Sequence, residues 1–151
     1  MNGYQIVSEA LGYYITLKPF DVNLYKKTVS KKDQQLSHID SQSEIQYTIY
    51  YHDDPCGFIG AIPVKNDKTG AFIQIVIFKS FRGKGIVKEA YNLLVKKHKF
   101  KTLYATIYKS NIASIKAHMK IGFKELPKNH LDDLVKQGRI SRYQTRLYKE
   151  F

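Results

Sequence analysis

The sequence predicts a mixed α/β fold: a mostly antiparallel central sheet with helices packed against it. Three observations carry that expectation. Runs of β-branched and aromatic residues, punctuated by turn residues, fill the stretch from Ile45 to Phe78. A glycine-rich loop at Arg82-Gly83-Lys84-Gly85 then leads straight into a helical apolar period. Beyond it, strand-like and helix-like segments alternate to the C-terminus. No repeat or Pro/Gly/Ser-rich linker divides the 151 residues, so a single domain spanning 1–151 is expected.

Tyr13 to Leu17 reads as a strand before Pro19, and Asp21 is placed to cap a short helix through Leu24, Tyr25 and Val29. Ser30 to Ser43 is polar and reads as irregular or weakly helical. Three strands come next, Ile45–Tyr51, Phe58–Val64 and Ala71–Phe78, with turns expected over His52–Gly57 and Lys65–Gly70. The last of the three is nearly continuously apolar, as a central strand covered on both faces should be. From Ile86 to Lys97, Ile86, Val87, Ala90, Tyr91, Leu94 and Val95 make one apolar stripe. Leu103–Tyr108 is a strand. Ser110 or Asn111 caps a second helix through Ile112, Ile115 and Met119, which Gly122 ends. Phe123–Leu126, a polar helix near Leu131–Val135 and a strand over Tyr143–Tyr148 close the chain.

Bulk properties narrow the function. With 43% hydrophobic and 13% aromatic residues, the chain is not of the disordered class. No apolar run approaches the roughly 20 residues of a membrane span. No basic segment followed by an apolar stretch marks a signal peptide. A soluble cytoplasmic protein is expected. The lone Cys56 excludes an internal disulfide framework and a Cys-rich zinc site, and no metal is expected. Charge is strongly basic, 25 Lys+Arg against 13 Asp+Glu for a net +12. That excess admits nucleic acid as a partner, but it is spread along the chain, and codon bias is the plain alternative. It disfavours a polycationic acceptor, which would want a carboxylate-rich pocket.

The glycine loop carries the chemistry. Backbone N–H groups at a strand-to-helix junction are unpaired, and the helix dipole favours a phosphate there. Glycines allow close backbone approach, while Arg82 and Lys84 add charge. A phosphate-binding loop of the Walker type needs Gly-Lys-Ser/Thr, yet Gly85 follows Lys84. A dinucleotide fingerprint needs a third glycine where Lys88 stands. Neither fits, and a glycine-rich turn without a ligand is the plain alternative.

With Arg82, Gly85 and Val87 in its three fixed places, the loop resembles the cofactor motif Gln/Arg-x-x-Gly-x-Gly/Ala of the GNAT N-acetyltransferases. Asn111-Ile112-Ala113-Ser114 and Lys120-Ile121-Gly122-Phe123 are similar to that family's later segment, so the resemblance runs from about Ala71 to Glu125. It implies a mixed, mostly antiparallel sheet flanked by helices on both faces, and acetyl-CoA as cosubstrate. It implies that the backbone of Ile75, Val76 and Ile77 pairs with the pantetheine amides. Arg82, Gly83, Lys84, Gly85, Ile86, Val87 and Lys88 would wrap the pyrophosphate. Asn111 would bond the pantetheine arm, cap its helix, or do both. Val87 departs from the family's small residue and is expected to crowd the phosphate approach.

Proton transfer is where the sequence departs most. Many relatives carry a tyrosine acid where His118 stands, seven residues and roughly 10 Å along the helix from Asn111. A histidine can donate a proton to a departing thiolate, or it can be an ordinary packed side chain. Positions that hold a base in relatives are Gln74 and Thr106 here; His52, Asp53, Glu44 or solvent are the substitutes. The resemblance implies direct acetyl transfer to a primary amine, of a peptide or protein N-terminus or a small molecule. The alternatives are an aminoacyl-tRNA acceptor and a non-catalytic module binding CoA or nucleic acid. Either a monomer or a homodimer is expected.

Overall fold

A computed structural model describes residues 6–8, by their backbone, and 14–151. Tyr13, the expected start of the first strand, lies outside these residues. The elements are β1 (Ile6–Ser8), β2 (Ile15–Pro19), α1 (Val22–Thr28), α2 (Lys31–Ser37), α3 (Ile39–Gln42), β3 (Ile45–Tyr51), β4 (Asp54–Val64) and β5 (Asp67–Ile77). A single 3-10 turn at Lys79–Phe81 leads to α4 (Ile86–His98), β6 (Thr102–Tyr108), α5 (Ile112–Lys120), β7 (Lys124–Glu125), α6 (Lys128–Lys136) and β8 (Gln144–Glu150).

The strands form one eight-stranded sheet in the order β1-β2-β3-β4-β5-β6-β8-β7. Every adjacent pair is antiparallel except β5 with β6, which the α4 crossover makes parallel. Alternation along the strands sends side chains to two cores. Ile59, Ala61, Ile73, Leu103, Ala105 and Leu147 join Ile86, Ala90, Tyr91 and Leu94 of α4 in the larger one. Phe58 faces the other way and packs with Tyr25, Val29 and Ile39 beneath α1 to α3. Helices therefore cover both faces of a mostly antiparallel sheet.

The structure sharpens the local expectations at several points. The turns over 52–57 and 65–70 shrink to His52-Asp53 and Lys65-Asn66, because Tyr51 pairs with Asp54 and Val64 with Asp67. Ladder pairing overrides the turn-like composition, and His52 supplies a positive φ of 53° for the tight connection. Of the two readings for Ser30 to Ser43, irregular or weakly helical, the helical one holds, as two short helices. The Ser30 hydroxyl accepts from the Asp33 N–H, His38 breaks the run at φ 51°, and Ile39 is buried in the smaller core. The short β1 is an element that the sequence reading lacks.

A bulge interrupts β4. Ile49 pairs with Gly57 and Tyr50 with Pro55, so Cys56 is skipped and the facing pattern shifts. Beside it, a Cβ on Gly57 would stand 2.2 Å from the Val76 carbonyl oxygen. Only glycine allows β4 and β5 to approach so closely here.

Candidate donor and acceptor site

The ladder between β5 and β6 runs only from Gly70–Thr102 to Ile73–Ala105. Both strands continue, β5 to Ile77 and β6 to Tyr108, and they diverge. The β5 backbone from Gln74 to Ile77 thus loses its neighbour on one side. An extended, amide-bearing ligand could add there as a strand. Ile75, Val76 and Ile77 all fall on this stretch.

At the end of β5 the chain turns through Lys79–Phe81 and passes Gly83 (φ 78°) and Gly85 (φ 77°) into α4. Both glycines occupy the left-handed region that other residues enter at a cost. Arg82 holds the turn, its Nε donating to the Ile77 carbonyl at 3.0 Å. The Arg82 N–H bonds to Lys79, and the next N–H with a backbone acceptor across the loop is that of Glu89, to Gly85. Among the described residues, the N–H groups from Gly83 through Lys88 therefore meet no acceptor, and no side chain caps α4. Those orphan donors and the helix dipole make an anion cradle. Lys84 and Lys88 are exposed beside it. Val87 is half-buried, its side chain packed against the larger core.

Asn111 caps α5, its Oδ1 accepting from the Ser114 N–H at 3.2 Å. Its Nδ2 has no partner among the described residues and lies at the β6–α5 junction, free for a second bond.

His118 lies inside the protein. It is 6% exposed, between α4 and α5, with the rings of Tyr91 and Phe123 against it. Nδ1 lies 2.8 Å from the Ser114 carbonyl, which can only accept, so Nδ1 carries the hydrogen. Nε2 then accepts from the Tyr91 hydroxyl at 2.8 Å. Burial holds its pKa below the ordinary histidine value, despite the Ser114 bond that opposes this. Both nitrogens are committed and the ring is neutral. The geometry makes His118 a brace between two helices. The sequence could not show this, since Tyr91 is 27 residues away.

The face opposite α4 carries the other half of the site. Phe72 and Gln74 of β5 and Tyr104, Thr106 and Tyr108 of β6 point to this side, alternating with buried Ile73, Ala105 and Ile107. Gln74 Oε1 accepts from the Ser43 hydroxyl at 2.9 Å, so neither Gln74 nor Thr106 offers a base. Tyr108 is 43% exposed; Tyr104 packs on Phe72 with ring centroids 5.5 Å apart. Arg146 of β8 reaches over from beyond β6, its Nε 3.2 Å from Thr106 Oγ1. A groove of about 440 Å³ runs between the α1–α2 link and the end of β5, and Asp33 is the carboxylate among its lining residues. Sequence reasoning missed Asp33 and Ser43, which lie in the segment read as irregular or weakly helical. It missed Arg146 too, although Gln144, Arg146 and Tyr148 alternate with Thr145 and Leu147. Among the described residues no cluster of His, Cys, Asp or Glu could hold a metal, and no helix is long and apolar enough to cross a membrane.

Comparison with known proteins bears on the family and the fold. The family described as acetyltransferase (GNAT) domain matches residues 8–124. No curated protein sequence matches. Among solved structures, a probable GNAT-family acetyltransferase from Chromobacterium violaceum aligns with TM-score 0.69 and 16% identity over 98% of this chain and 86% of that one. A Bacillus subtilis acetyltransferase in complex with CoA aligns with TM-score 0.62 and 18% identity over 91% and 97%. A spermidine N-acetyltransferase chimera from Vibrio cholerae aligns with TM-score 0.63 and 18% identity over 90% and 94%. At these identities the likeness is one of fold.

Proposed function

The chain belongs to the GNAT acetyltransferase family, and on that footing we propose that it transfers the acetyl group of acetyl-CoA to a primary amine. One observation carries the reading. The unpaired β5 edge at Gln74–Ile77 runs directly into the unpartnered N–H groups of Gly83–Lys88. An extended diamide joined to a pyrophosphate is the ligand such a continuous track of donors and acceptors fits. The similar structure solved with CoA supports this choice, and the one named for spermidine N-acetylation supports an amine as acceptor.

Acetyl-CoA, when bound, supplies a thioester whose carbonyl accepts the amine and whose thiolate leaves. The rest falls to the chain. Ile75, Val76 and Ile77 offer backbone bonds to the arm, and Gly83 to Lys88 hold phosphate oxygens with help from the helix dipole. Arg82 fixes the loop through Ile77, and Asn111 Nδ2 is free for the arm at the gap. Gln74, Thr106 and Tyr108 face the acceptor. Cys56 takes no part: it is wholly buried, and burial pushes its thiol up to about 12. Transfer is therefore direct, without an acyl-enzyme. With His118 occupied and no carboxylate on Gln74 or Thr106, the amine enters neutral and its proton leaves to solvent through the open acceptor face.

Calorimetry with CoA and a thiol-release assay test this. Gly85→Glu sets a carboxylate against the phosphates and places a side chain at φ 77°. It should lower CoA affinity at least about hundredfold, well beyond the strain of roughly 1–2 kcal/mol that Gly85→Ala imposes. Equal affinity in wild type and Gly85→Glu would place the donor elsewhere.

A further inference from the structure

Arg146 is the least explained charge on the acceptor face. It stands opposite Thr106 in the β6–β8 ladder, one position past Ile73–Ala105, where β5 and β6 part. Its side chain crosses β6: Nε bonds Thr106 Oγ1, and the guanidinium carbon lies 4.7 Å from the centre of the Phe72 ring on β5. The guanidinium therefore sits over the last rungs of the β5–β6 ladder, beside the point where the gap opens. A guanidinium carries five N–H donors, and the Thr106 bond occupies one.

No carboxylate pairs with Arg146 among the described residues. The neighbouring charge that acts on it is Arg139, of like sign. Burial first, and then Arg139, disfavours its charged form, with Tyr104 opposing. A half-buried guanidinium without an anion is costly, and a fork with free parallel donors is suited to a carboxylate or phosphate. The Thr106 hydroxyl and the Phe72 ring keep the fork in place for one.

Resting on the acetyl-transfer reading above, we infer that Arg146 selects the acceptor: an amine that also bears an anionic group, carboxylate or phosphate, which the fork holds while the amine reaches the gap. Such an acceptor suits a chain of net charge +12, whose field draws anions, whereas a polyamine would meet repulsion.

Matched acceptors test this in thiol release and in calorimetry on the CoA-saturated protein. One pair is β-alanine and β-alaninamide; the other is O-phosphoethanolamine and ethanolamine. The anionic member of at least one pair should show about tenfold or more higher kcat/KM and tighter binding. Which pair responds separates carboxylate from phosphate. Arg146→Gln should bring the anionic-to-neutral ratio of kcat/KM down to about one, and Arg146→Lys should restore part of that ratio, keeping charge but not the fork. Equal handling within both pairs, no binding of any member to the CoA-loaded protein, or a loss in Arg146→Gln shared by both members would each overturn the inference. Where Arg146→Gln does not fold, the wild-type pairs and Arg146→Lys decide. Loss of CoA binding itself would overturn the parent reading instead.

Discussion

Replacing His118 by alanine separates a brace from an acid. The substitution removes a buried ring that touches Tyr91 and Phe123, and it strands the hydroxyl of Tyr91, a residue 1% exposed. Losing the packing of a ring smaller than phenylalanine costs about 2 kcal/mol, taken below the usual range for Phe→Ala. An orphaned buried hydroxyl adds roughly 1–3 kcal/mol. The total of about 3–5 kcal/mol corresponds to a fall in Tm of roughly 6–20 °C for a chain of this size. Urea and thermal unfolding read the stability. Initial rates measured well below the lowered Tm read the chemistry, with the variant's folded fraction checked by circular dichroism. The folded variant should keep kcat within about threefold, because a group with both nitrogens committed inside the core does not touch reacting atoms. A stability change below about 1 kcal/mol, together with a hundredfold loss of kcat and a lost limb of the pH profile, would refute the reasoning and return the acid role to His118.

Other perturbations draw on the same geometry. Gly57→Ala sets a methyl 2.2 Å from the Val76 carbonyl and forces β4 from β5 beside the gap. It should cost about 1–3 kcal/mol in urea unfolding and weaken CoA binding in calorimetry, as overpacking of a close contact does. A normal urea midpoint would show that the strands have slack. His118 and His98 both have folded pKa values held below the ordinary value of about 6.5, chiefly by burial. Between that value and their lower folded values the unfolded chain binds protons that the folded chain refuses, so stability falls as pH falls through this window and levels off above about 7. The urea midpoint should drop from pH 7 to 5.5, and less steeply in His118→Gln; an unchanged slope would remove His118 from the account.

What could be read from the sequence was what neighbours along the chain decide. The α4 stripe, the Asp21 and Asn111 caps and the paired glycines of the loop are local patterns, and each appears where expected. Distance in sequence hid the rest. His118 sits on the helix face that spacing gives it, but only the partner Tyr91 on α4 shows that this face is interior. Asp53, Asp54 and Pro55 look like a wide turn until the register with β3 draws Asp54 and Pro55 into a strand. Val87 reads only as a motif position until the fold shows its side chain leaning on the core. Arg146 reads as one more lysine-like surface charge until Thr106 and Phe72 are brought beneath it. The missing base is an absence that no reading of spacing could have filled.

The short parallel ladder has a mechanical consequence. Strands β1–β5 and β6–β8 are two antiparallel plates stitched by the rungs from Gly70–Thr102 to Ile73–Ala105, with shared core beneath. An occupant along Gln74–Ile77 fills the wedge between the plates and stiffens the seam, because each bond it makes replaces a rung the protein lacks. Thr106 and Arg146 belong to the plate on the far side of that seam. On the proposed function, filling the donor half should order the acceptor half, so an acceptor is expected to bind more tightly once CoA is in place. Calorimetry of an acceptor with and without CoA reads this directly, and equal affinity in both would mean that the two plates move independently.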